Sequence, residues 1–277
     1  MVSIRKELAE YGLVPRKRWG QHFLVDRNII NKVVRIAQVG EKDSVLEVGP
    51  GLGEMTLLLS RQARRVIAVE IDPKLVAILR EKAAAHPNIE IIEEDILKFD
   101  FKELPRPDGH PLKVVANLPY QISTPLLFRF IESRKIFSTL TLMLQREVAE
   151  RLVASPGGKA YGPLSVSVQV VSDVSIRFFI KPAAFFPPPK VESAVVQLMW
   201  RESPLVDLSE ETWLHRVVRA CFGYRRKTLI NALKHSDLLL PPSPEESLES
   251  IGINPRRRPE TLTIQEFIRL AQILKDN

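Results

Sequence analysis

The fold of this chain is decided by one stretch, LKVVANLPY at residues 112–120. It consists of a short, mostly apolar run, LKVVA, followed by the tetrapeptide NLPY. Residues 112–116 have the length and the β-branched content of a buried parallel strand. The tetrapeptide 117–120 then falls at the carboxyl end of that strand, where open α/β sheets bind their ligands. Because Pro119 disfavours a helical conformation at the residue before it, we expect a turn here and a helix that opens at residues 124–125.

The tetrapeptide offers two hydrogen-bond acceptors and one aromatic ring. The Asn117 amide oxygen and the Leu118 carbonyl can both accept from one exocyclic amino group, while Tyr120 can stack on the ring that carries it. Acceptors on both N–H groups would direct the nitrogen lone pair at an electrophile, so that positioning supplies most of the catalysis and no basic side chain is required. The same residues also suit an ordinary strand-to-helix turn, since Asn and Pro are common turn formers.

Strands and helices alternate on both sides of this stretch. Strands are predicted at 44–48, 65–70, 89–93, 112–116 and 139–144. Helices are predicted at 54–63, 73–85 and 159–171, after an N-cap at Asp26, and from residues 125 and 146. The alternation predicts an α/β fold with a Rossmann-like doubly wound parallel sheet, closed by an antiparallel pair at 176–180 and 194–200. After residue 200 the pattern is only helical, at 210–221, 224–235, 244–251 and 264–275. We therefore predict two domains, 1–203 and a small all-helical domain 204–277.

Three successive predicted strand ends carry groups that suit a nucleoside. The first strand leads into EVGPGLG at residues 47–53, whose glycines permit a tight turn and a close approach of a ligand. Glu70 ends the second strand and can accept both hydroxyls of a ribose. Asp95 ends the third and can accept from an adenine amino group, while the amide of Ile96 donates to a ring nitrogen. Each acid could instead cap a helix, and GxGxG is not the dinucleotide fingerprint GxGxxG.

Composition limits the classes of protein that remain. The 277 residues, 45% of them hydrophobic, are enough for one α/β domain and a smaller appendage. No apolar run is long enough for a membrane span or a signal peptide, which indicates a cytoplasmic protein with no membrane partner. The single cysteine, Cys221, excludes an internal disulfide and a cysteine-cluster metal site. Its distance in sequence from the glycine loop also argues against methylation of a cytosine carbon, which needs a thiolate nucleophile.

The net charge of +7 suggests a polyanionic partner, and the basic residues are clustered. Residues 216–234 contain six basic residues and no acidic one, and smaller groups occur at 16–18 and 256–258. Acidic residues elsewhere in the last 77 positions nearly cancel this charge, so the segregation itself indicates a nucleic-acid surface. Ordinary solvated faces are the alternative interpretation.

Segments along nearly the whole chain resemble the S-adenosylmethionine-dependent rRNA adenine N6-dimethyltransferases. The segments are QHFL at 21–24, EVGPGLG at 47–53, Glu70, Asp95, NLPY at 117–120, FFPPPKVES at 185–193, FGYRRKTL at 222–229 and RPETL at 258–262. The C-terminal segments are more similar to the small-subunit enzymes associated with kasugamycin sensitivity than to the erythromycin-resistance methylases. The resemblance implies two methyl transfers to each of two adjacent adenosines, in a hairpin near the 3′ end of 16S rRNA within an assembling 30S subunit.

The resemblance also implies roles for particular residues. Cofactor binding falls to His22, Leu24, Gly49, Glu70, Asp95 and Asn117, and catalysis to Asn117, Leu118, Tyr120 and Phe186. The segregation of charge in 216–234 assigns RNA binding to Arg225, Arg226 and Lys227. Tyr120 and Phe186 are expected to stack on a flipped adenine, in a monomeric enzyme that needs no metal. Asparagine is also familiar at position 22. His22 could be a structural histidine, and Phe186 a core aromatic beside a proline turn.

Three other functions are compatible with parts of the pattern. A binding protein could keep this fold and use its basic residues on RNA or DNA in assembly or transcription, although its motifs would be expected to decay. A DNA amine methylase would more often carry Asp-Pro-Pro-Tyr or Asn-Pro-Pro-Tyr than Asn-Leu-Pro-Tyr. A large-subunit rRNA adenine methylase that confers antibiotic resistance would share the N-terminal motifs.

Overall fold

The computed structural model describes residues 4–16, 19–106, 109–224 and 226–275. Contacts divide the chain into two compact units. The first unit comprises Met1–Ala149 with Ser175–Trp200, and the second comprises Glu150–Val174 with Arg201–Asn277. The sequence predicts a single boundary near residues 203–204, so the structure differs in grouping 150–174 with the C-terminal segment.

Residues 150–174 group with the C-terminal segment because one buried helix and a backbone hydrogen bond join them to it. The helix Pro163–Val171 is apolar and almost entirely buried. It packs against the later helices Leu208–Gly223 and Ile264–Lys275. The amide of Arg201 also donates to the Val171 carbonyl at 2.9 Å. A sequence pattern read element by element does not reveal such a long-range pairing.

Nine strands occur in the described residues and form two sheets. They are β1 (Phe23–Leu24), β2 (Ser44–Val48), β3 (Arg65–Glu70), β4 (Ile89–Glu93), β5 (Leu112–Asn117), β6 (Phe137–Gln145), β7 (Ser172–Ile180), β8 (Phe185–Phe186) and β9 (Ser193–Trp200). The larger sheet has the order β4-β3-β2-β5-β6-β9-β7, and β1 pairs with β8 in the smaller one.

The larger sheet is parallel from β4 through β6, and β9 runs antiparallel to β6. The chain runs outward from β2 to β4 and then returns to β5 on the other side of β2, so the strand order reverses between β2 and β5. Ligands of open α/β sheets bind at such a reversal, at the carboxyl ends of the strands. The predicted doubly wound sheet is confirmed, and the strands at 44–48, 65–70 and 89–93 have the predicted bounds.

Seven α-helices precede residue 172 in the described residues. They are α1 (Ile4–Glu10), α2 (Arg27–Ala37), α3 (Glu54–Ser60), α4 (Pro73–Ala83), α5 (Ser123–Glu132), α6 (Arg146–Leu152) and α7 (Pro163–Val171). Asp26 caps α2 by accepting from two backbone amides, and Asp72 caps α4, whose first residue is Pro73. The predicted helices at 54–63 and 159–171 are shorter in the structure, since α3 ends at Ser60 and α7 begins at Pro163.

The core of the first unit lies where α2 and α3 pack on the sheet. The buried face of α2 includes Ile30, Val33 and Val34, which cluster with strand residues such as Val45 and Val66. Because these strands are covered by side chains, they read as β-branched runs rather than as alternating patterns. This packing holds the carboxyl ends of the strands in fixed positions.

The second unit is helical after residue 200. Its later helices are α8 (Leu208–Gly223), α9 (Leu229–Lys234), α10 (Pro244–Ser250) and α11 (Ile264–Lys275). The predicted helix 224–235 is shorter in the structure, because the Lys227 amide donates to the Tyr224 carbonyl at 2.8 Å and forms a turn before α9 begins. None of the helices in the described ranges has the length and apolar content that a bilayer crossing needs.

Candidate active site

One pocket lies at the carboxyl ends of β4, β3, β2 and β5, which are neighbours in the sheet. The structure brings all six residues predicted to bind the cofactor to the wall of this pocket: His22, Leu24, Gly49, Glu70, Asp95 and Asn117. Leu118 and Tyr120 line it too. The reversal of strand order between β2 and β5 is therefore where the candidate site forms.

The glycine loop that follows β2 has positive φ angles, which residues other than glycine rarely adopt. Gly49, Gly51 and Gly53 have φ angles of 64°, 60° and 83°. A Cβ atom on Gly51 would come within 3.1 Å of the Phe23 ring, and a Cβ atom on Gly53 would collide with Leu79. The loop can therefore bring its backbone close to a bound molecule, and its glycines cannot be exchanged for other residues without strain.

Glu70 ends β3 and is 5% exposed. Its carboxylate accepts from three backbone amides: Gly51 at 3.2 Å, and Ile71 and Asp72 at 3.0 Å each. Burial raises the pKa of Glu70, and these hydrogen bonds act in the opposite direction. Glu70 therefore holds the glycine loop against the end of β3, in addition to any contact that it makes with a ligand.

Glu47 is a pocket residue to which the sequence interpretation gave no role. It is 1% exposed, it lines the pocket, and its Oε2 atom has no hydrogen-bond partner among the described residues. Burial, with a smaller contribution from the charge of Glu70, raises the pKa of Glu47 to about 8. The available signal was an acidic residue inside the otherwise apolar strand Ser44–Val48.

Asp95 follows β4, and its side chain forms a turn with the backbone two residues further along the chain. Its Oδ1 atom accepts from the amide of Leu97 at 3.0 Å. The guanidinium of Arg129, on α5, donates to the carbonyls of Ile96 and Phe99 and so holds this loop in place. The loop that carries Asp95 is thus attached to α5, the helix that begins three residues after Tyr120.

The side chain of Asn117 is oriented by the backbone. Its Nδ2 atom donates to the His22 carbonyl at 3.0 Å, and a carbonyl can only accept, so this contact fixes which end of the amide is the oxygen. The Leu118 amide donates to the Met143 carbonyl at 3.2 Å. In the parts of the chain that the structure describes, no hydrogen bond occupies Asn117 Oδ1 or the Leu118 carbonyl oxygen. The predicted acceptor pair is therefore available to a ligand.

Tyr120 is held by contacts on its ring and at its hydroxyl. The His22 ring stacks on it with centroids 5.5 Å apart and planes at 28°. His22 Nδ1 lies 2.6 Å from the Pro187 carbonyl oxygen and must carry the hydrogen of that bond. The Tyr120 hydroxyl lies 2.7 Å from the Ser193 hydroxyl, and burial raises the pKa of Tyr120. His22 therefore occupies one face of the tyrosine ring.

Phe186 is not brought into the pocket. In β8 it pairs with Phe23 of β1, and its side chain packs on the apolar cluster that includes Leu8 and Leu52. It is not among the residues that line the pocket. The Phe186 side chain is only partly buried by this cluster, and its role in stacking on adenine stays a prediction.

The basic stretch 216–234 is only partly free of acids. Arg216 pairs with Asp237 at 2.9 Å, and Lys234 pairs with Glu245 at 2.6 Å. The partners come from outside the stretch, so its segregation in sequence overstates its local positive charge. The interpretation of 216–234 as a nucleic-acid surface stays a prediction.

The residues predicted to bind RNA differ from these paired cations. Arg226 and Lys227 are exposed, and within the described ranges neither forms an ion pair. Lys227 Nζ lies 3.0 Å from His235 Nε2 and 5.7 Å from the centre of the Tyr224 ring. Arg225 lies outside the described residues.

The smaller basic groups are also partly engaged. Arg16 lies 3.8 Å from the buried carboxylate of Asp72, and Arg257 pairs with Glu266 at 2.5 Å. Lys17 and Arg18 lie outside the described residues.

The described residues contain no group of three or more His, Cys, Asp and Glu side chains that could hold a metal ion.

Comparisons with known proteins agree with the geometry of the pocket. The family model "Ribosomal RNA adenine dimethylase" matches residues 13–276. A Geobacter metallireducens protein named ribosomal RNA small subunit methyltransferase A is 44% identical over 265 residues, which cover 95% of this chain and 96% of that protein. The protein of the same name from Geobacter sulfurreducens is 45% identical over 263 residues, covering 94% and 95%.

Two solved structures extend the similarity to the whole fold. A dimethyladenosine transferase from Plasmodium falciparum has a TM-score of 0.77 and 28% identity, and the match covers 92% of this chain and 98% of that one. The 23S rRNA methyltransferase ErmE has a TM-score of 0.71 and 28% identity, with 91% and 99% covered.

Proposed function

The chain belongs to the ribosomal RNA adenine dimethylase family, and from this premise we propose that it dimethylates two adjacent adenosines in a hairpin near the 3′ end of 16S rRNA. It is an S-adenosylmethionine-dependent rRNA adenine dimethyltransferase. The proposed product at each site is N6,N6-dimethyladenosine. The proposed substrate is rRNA within an assembling 30S subunit, and the enzyme is proposed to act as a cytoplasmic monomer.

One observation carries the proposal: Glu70, Asp95 and Asn117 line a single pocket at the ends of neighbouring strands. The acids can accept from the ribose and adenine of a nucleoside, and the Asn117 amide lines the same pocket from the end of β5. The parallel sheet brings these three side chains to the same edge as the glycine loop, so one ligand can contact all of them. A cofactor site beside a site for an amino group is the arrangement that amine methylation requires.

The pocket suits S-adenosylmethionine on grounds of its own chemistry. The glycine loop leaves room for close approach by a ligand, and the buried Oε2 atom of Glu47 lacks a partner among the described residues. We propose that Glu70 holds the ribose, that Asp95 and the Ile96 amide hold the adenine, and that His22, Leu24 and Gly49 complete the site. The bound cofactor supplies an electrophilic methyl group on a sulfonium sulfur.

For the target base we propose that Asn117 Oδ1 and the Leu118 carbonyl accept from the two N–H bonds of N6. Both oxygens are without a hydrogen bond in the described residues, and Asn117 is already oriented by its bond to His22. Fixed acceptors of this kind need no reorganisation during the reaction, which is the usual source of large electrostatic effects in catalysis. Because His22 covers one face of Tyr120, the flipped adenine would stack on the other.

Two further roles belong to the proposal. Arg226 and Lys227, exposed and without an ion pair in the described ranges, are suited to bind rRNA phosphates together with Arg225. Phe186 is proposed as the second stacking side chain only if the segment around Pro187 moves when RNA binds, because its ring packs on the cluster around Leu8. The small-subunit assignment is favoured over a large-subunit resistance methylase by the relatives at 44% and 45% identity.

The test is mass spectrometry of rRNA from a strain that lacks the protein. We expect one fragment near the 3′ end of 16S rRNA to lose four methyl groups, and a plasmid copy of the wild-type gene to restore them. The Asn117→Ala gene should fail to restore them although the protein accumulates normally. Unchanged 16S rRNA in the deletion strain, or methyl groups missing from 23S rRNA instead, would contradict the proposal.

A further inference from the structure

Ser193 is the first residue of β9 and ends the segment 185–193, for which the site described so far leaves little role. Its side chain is 1% exposed, and its hydroxyl lies 2.7 Å from the Tyr120 hydroxyl. Across the ladder Ser193 lies opposite Gln145 of β6. A buried hydroxyl pair at this distance is a good hydrogen bond, whichever oxygen donates.

We propose that Ser193 is a positioning residue that sets the angle of the Tyr120 ring on which the target adenine stacks. The inference rests on the proposed role of Tyr120. Tyr120 follows the turn at Pro119, where its backbone carbonyl accepts from the Ser123 hydroxyl at 3.0 Å. Backbone contacts fix where the side chain starts, and they leave the ring free to rotate. The hydroxyl bond restrains the far end of the same side chain.

The anchor is rigid because the residue before Ser193 contacts Arg146 at the start of α6, and Ser193 and the residues after it pair with β6. The backbone amide of Arg146 donates to the Glu192 carbonyl at 2.9 Å, and the Arg146 guanidinium pairs with the Glu192 carboxylate at 2.7 Å. Ser193 itself is paired in the antiparallel ladder with Gln145. Its hydroxyl therefore has a fixed position relative to the end of β5, two strands of one sheet away.

The same segment also holds the other aromatic contact of Tyr120. The Pro187 carbonyl accepts from His22 Nδ1, and the His22 ring stacks on Tyr120. Pro187 and Ser193 thus restrain Tyr120 from two directions, one through its face and one through its hydroxyl. The segment 185–193 acts as a support for the stacking ring, which is a different role from supplying a second stacking ring through Phe186.

The test is a double-substitution cycle on methyl transfer to undermethylated small subunits. We expect Ser193→Ala and Tyr120→Phe each to lower kcat about tenfold, since a misplaced ring holds the base away from the reacting geometry. The double variant should be no slower than either single one, because both remove the same bond. Calorimetric affinity for S-adenosylmethionine and KM for subunits should stay within a factor of two or so of the wild type, and Ser193→Thr should restore kcat.

Ser172→Ala is the matched control. Ser172 is also a fully buried serine at the start of a strand, and its hydroxyl donates to the Val168 carbonyl at 2.8 Å. It should lower the melting temperature without a selective loss of kcat. If Ser193→Ala behaves like this control, or if its loss adds to that of Tyr120→Phe, the inference is wrong. If Tyr120→Ala itself is as fast as wild type, the failure lies in the proposed function.

Discussion

The pocket in the first unit and the basic stretch 216–234 in the second were both predicted from the sequence. The structure brings the predicted pocket residues together, whereas it pairs two of the predicted basic residues with acids. The three polar residues Glu70, Asp95 and Asn117 come together because parallel strands place their carboxyl ends at one edge of a sheet. No such rule governs the basic stretch. Its cations Arg216 and Lys234 meet acids that lie outside it.

The difference teaches that topology converts a sequence pattern into a site more reliably than composition does. In the pocket, backbone groups hold the side chains, as Glu70 and Asn117 show. In the basic stretch, the ion pairs are exposed, with 54% and 76% exposure for Arg216 and Asp237. Exposed pairs contribute only about 0–1 kcal/mol, so they do little to hold these side chains in fixed positions.

The largest effect is expected at Asn117. Asn117→Ala should lower the rate of methyl transfer by roughly two or more orders of magnitude, because it removes a preorganised acceptor at the reacting amine. Affinity for small subunits should remain close to that of the wild type, and affinity for S-adenosylmethionine should fall far less than the rate, because five other predicted cofactor residues remain. Single-turnover transfer of labelled methyl groups to undermethylated subunits measures the rate.

Asn28 supplies the control for that measurement. It is exposed at the start of α2, and Asn28→Ala should leave the rate unchanged. A rate for Asn117→Ala within a factor of a few of wild type would mean that another group orients the amine. Asn117 would then line the pocket without contributing to catalysis.

The next effect is expected in cofactor affinity. Asp95→Ala should weaken binding of S-adenosylmethionine by about 1.5–3 kcal/mol, as loss of a hydrogen bond to a charged group does. Asp100→Ala is the matched control, since Asp100 forms the same kind of turn, with Lys102, through a hydrogen bond of 2.9 Å. Calorimetry with both variants decides the matter, and equal affinities would show that Asp95 does not hold the adenine.

Glu70 requires a gentler substitution than Asp95. Glu70→Ala would also remove three backbone hydrogen bonds that hold the glycine loop. Glu70→Gln keeps one acceptor oxygen and removes the other, so it should weaken cofactor binding with less damage to the loop. A melting temperature close to that of wild type, with weakened binding by calorimetry, is the expected result.

Much of the first unit could be predicted because its elements are local. A few residues are enough to predict the glycine loop, the start of α4 at its proline and the β-branched strands. Long-range pairings could not be read in this way. The grouping of 150–174 with the second unit depends on contacts such as that between Arg201 and Val171.

Within the site, Glu70, Asp95 and Asn117 could be predicted from their places at strand ends, whereas contacts made by distant segments were missed. Ser193 reaches Tyr120 across 73 positions, and Pro187 reaches His22 across 165. Phe186 was predicted to stack on adenine from its place in a motif, whereas the structure packs it beside Leu8. Sequence patterns locate a motif, but they do not say which of its side chains faces the pocket.

Glu47 gives a pH dependence by which the pocket can be examined without a ligand. Its pKa is raised from 4.5 to about 8 by burial, so between these values the folded chain keeps a proton that the unfolded chain has lost. The free energy of unfolding should therefore fall as the pH rises through this range, by at most about 1.4 kcal/mol per pH unit from this group. Urea denaturation at several pH values measures the slope.

Glu47→Gln should remove that part of the slope, because an amide has no proton to lose. The neighbouring Glu70 also has a raised pKa, so some dependence should remain. The difference between wild type and variant isolates Glu47. Identical slopes would show that Glu47 titrates near its ordinary pKa of 4.5 in spite of its burial.

The smallest effect is expected in the basic stretch, where it tests the other side of the comparison. Arg226 and Lys227 form no ion pair in the described residues, whereas Arg216 and Lys234 are paired with acids. Two double reversals, Arg226→Glu with Lys227→Glu and Arg216→Glu with Lys234→Glu, change the net charge equally. Because removing one cation from a phosphate lowers the salt slope of log K by up to about 0.9, the first double variant should bind small subunits with a flatter slope.

The second double variant should keep more of that slope, because its cations already have partners within the chain. Its melting temperature should fall slightly instead, by the small amount that exposed ion pairs contribute. Filter binding across a salt series, with calorimetric affinity for S-adenosylmethionine as the control, distinguishes the two. Equal slopes in both variants would mean that total charge determines rRNA binding. The position of each cation within the stretch 216–234 would then not affect binding.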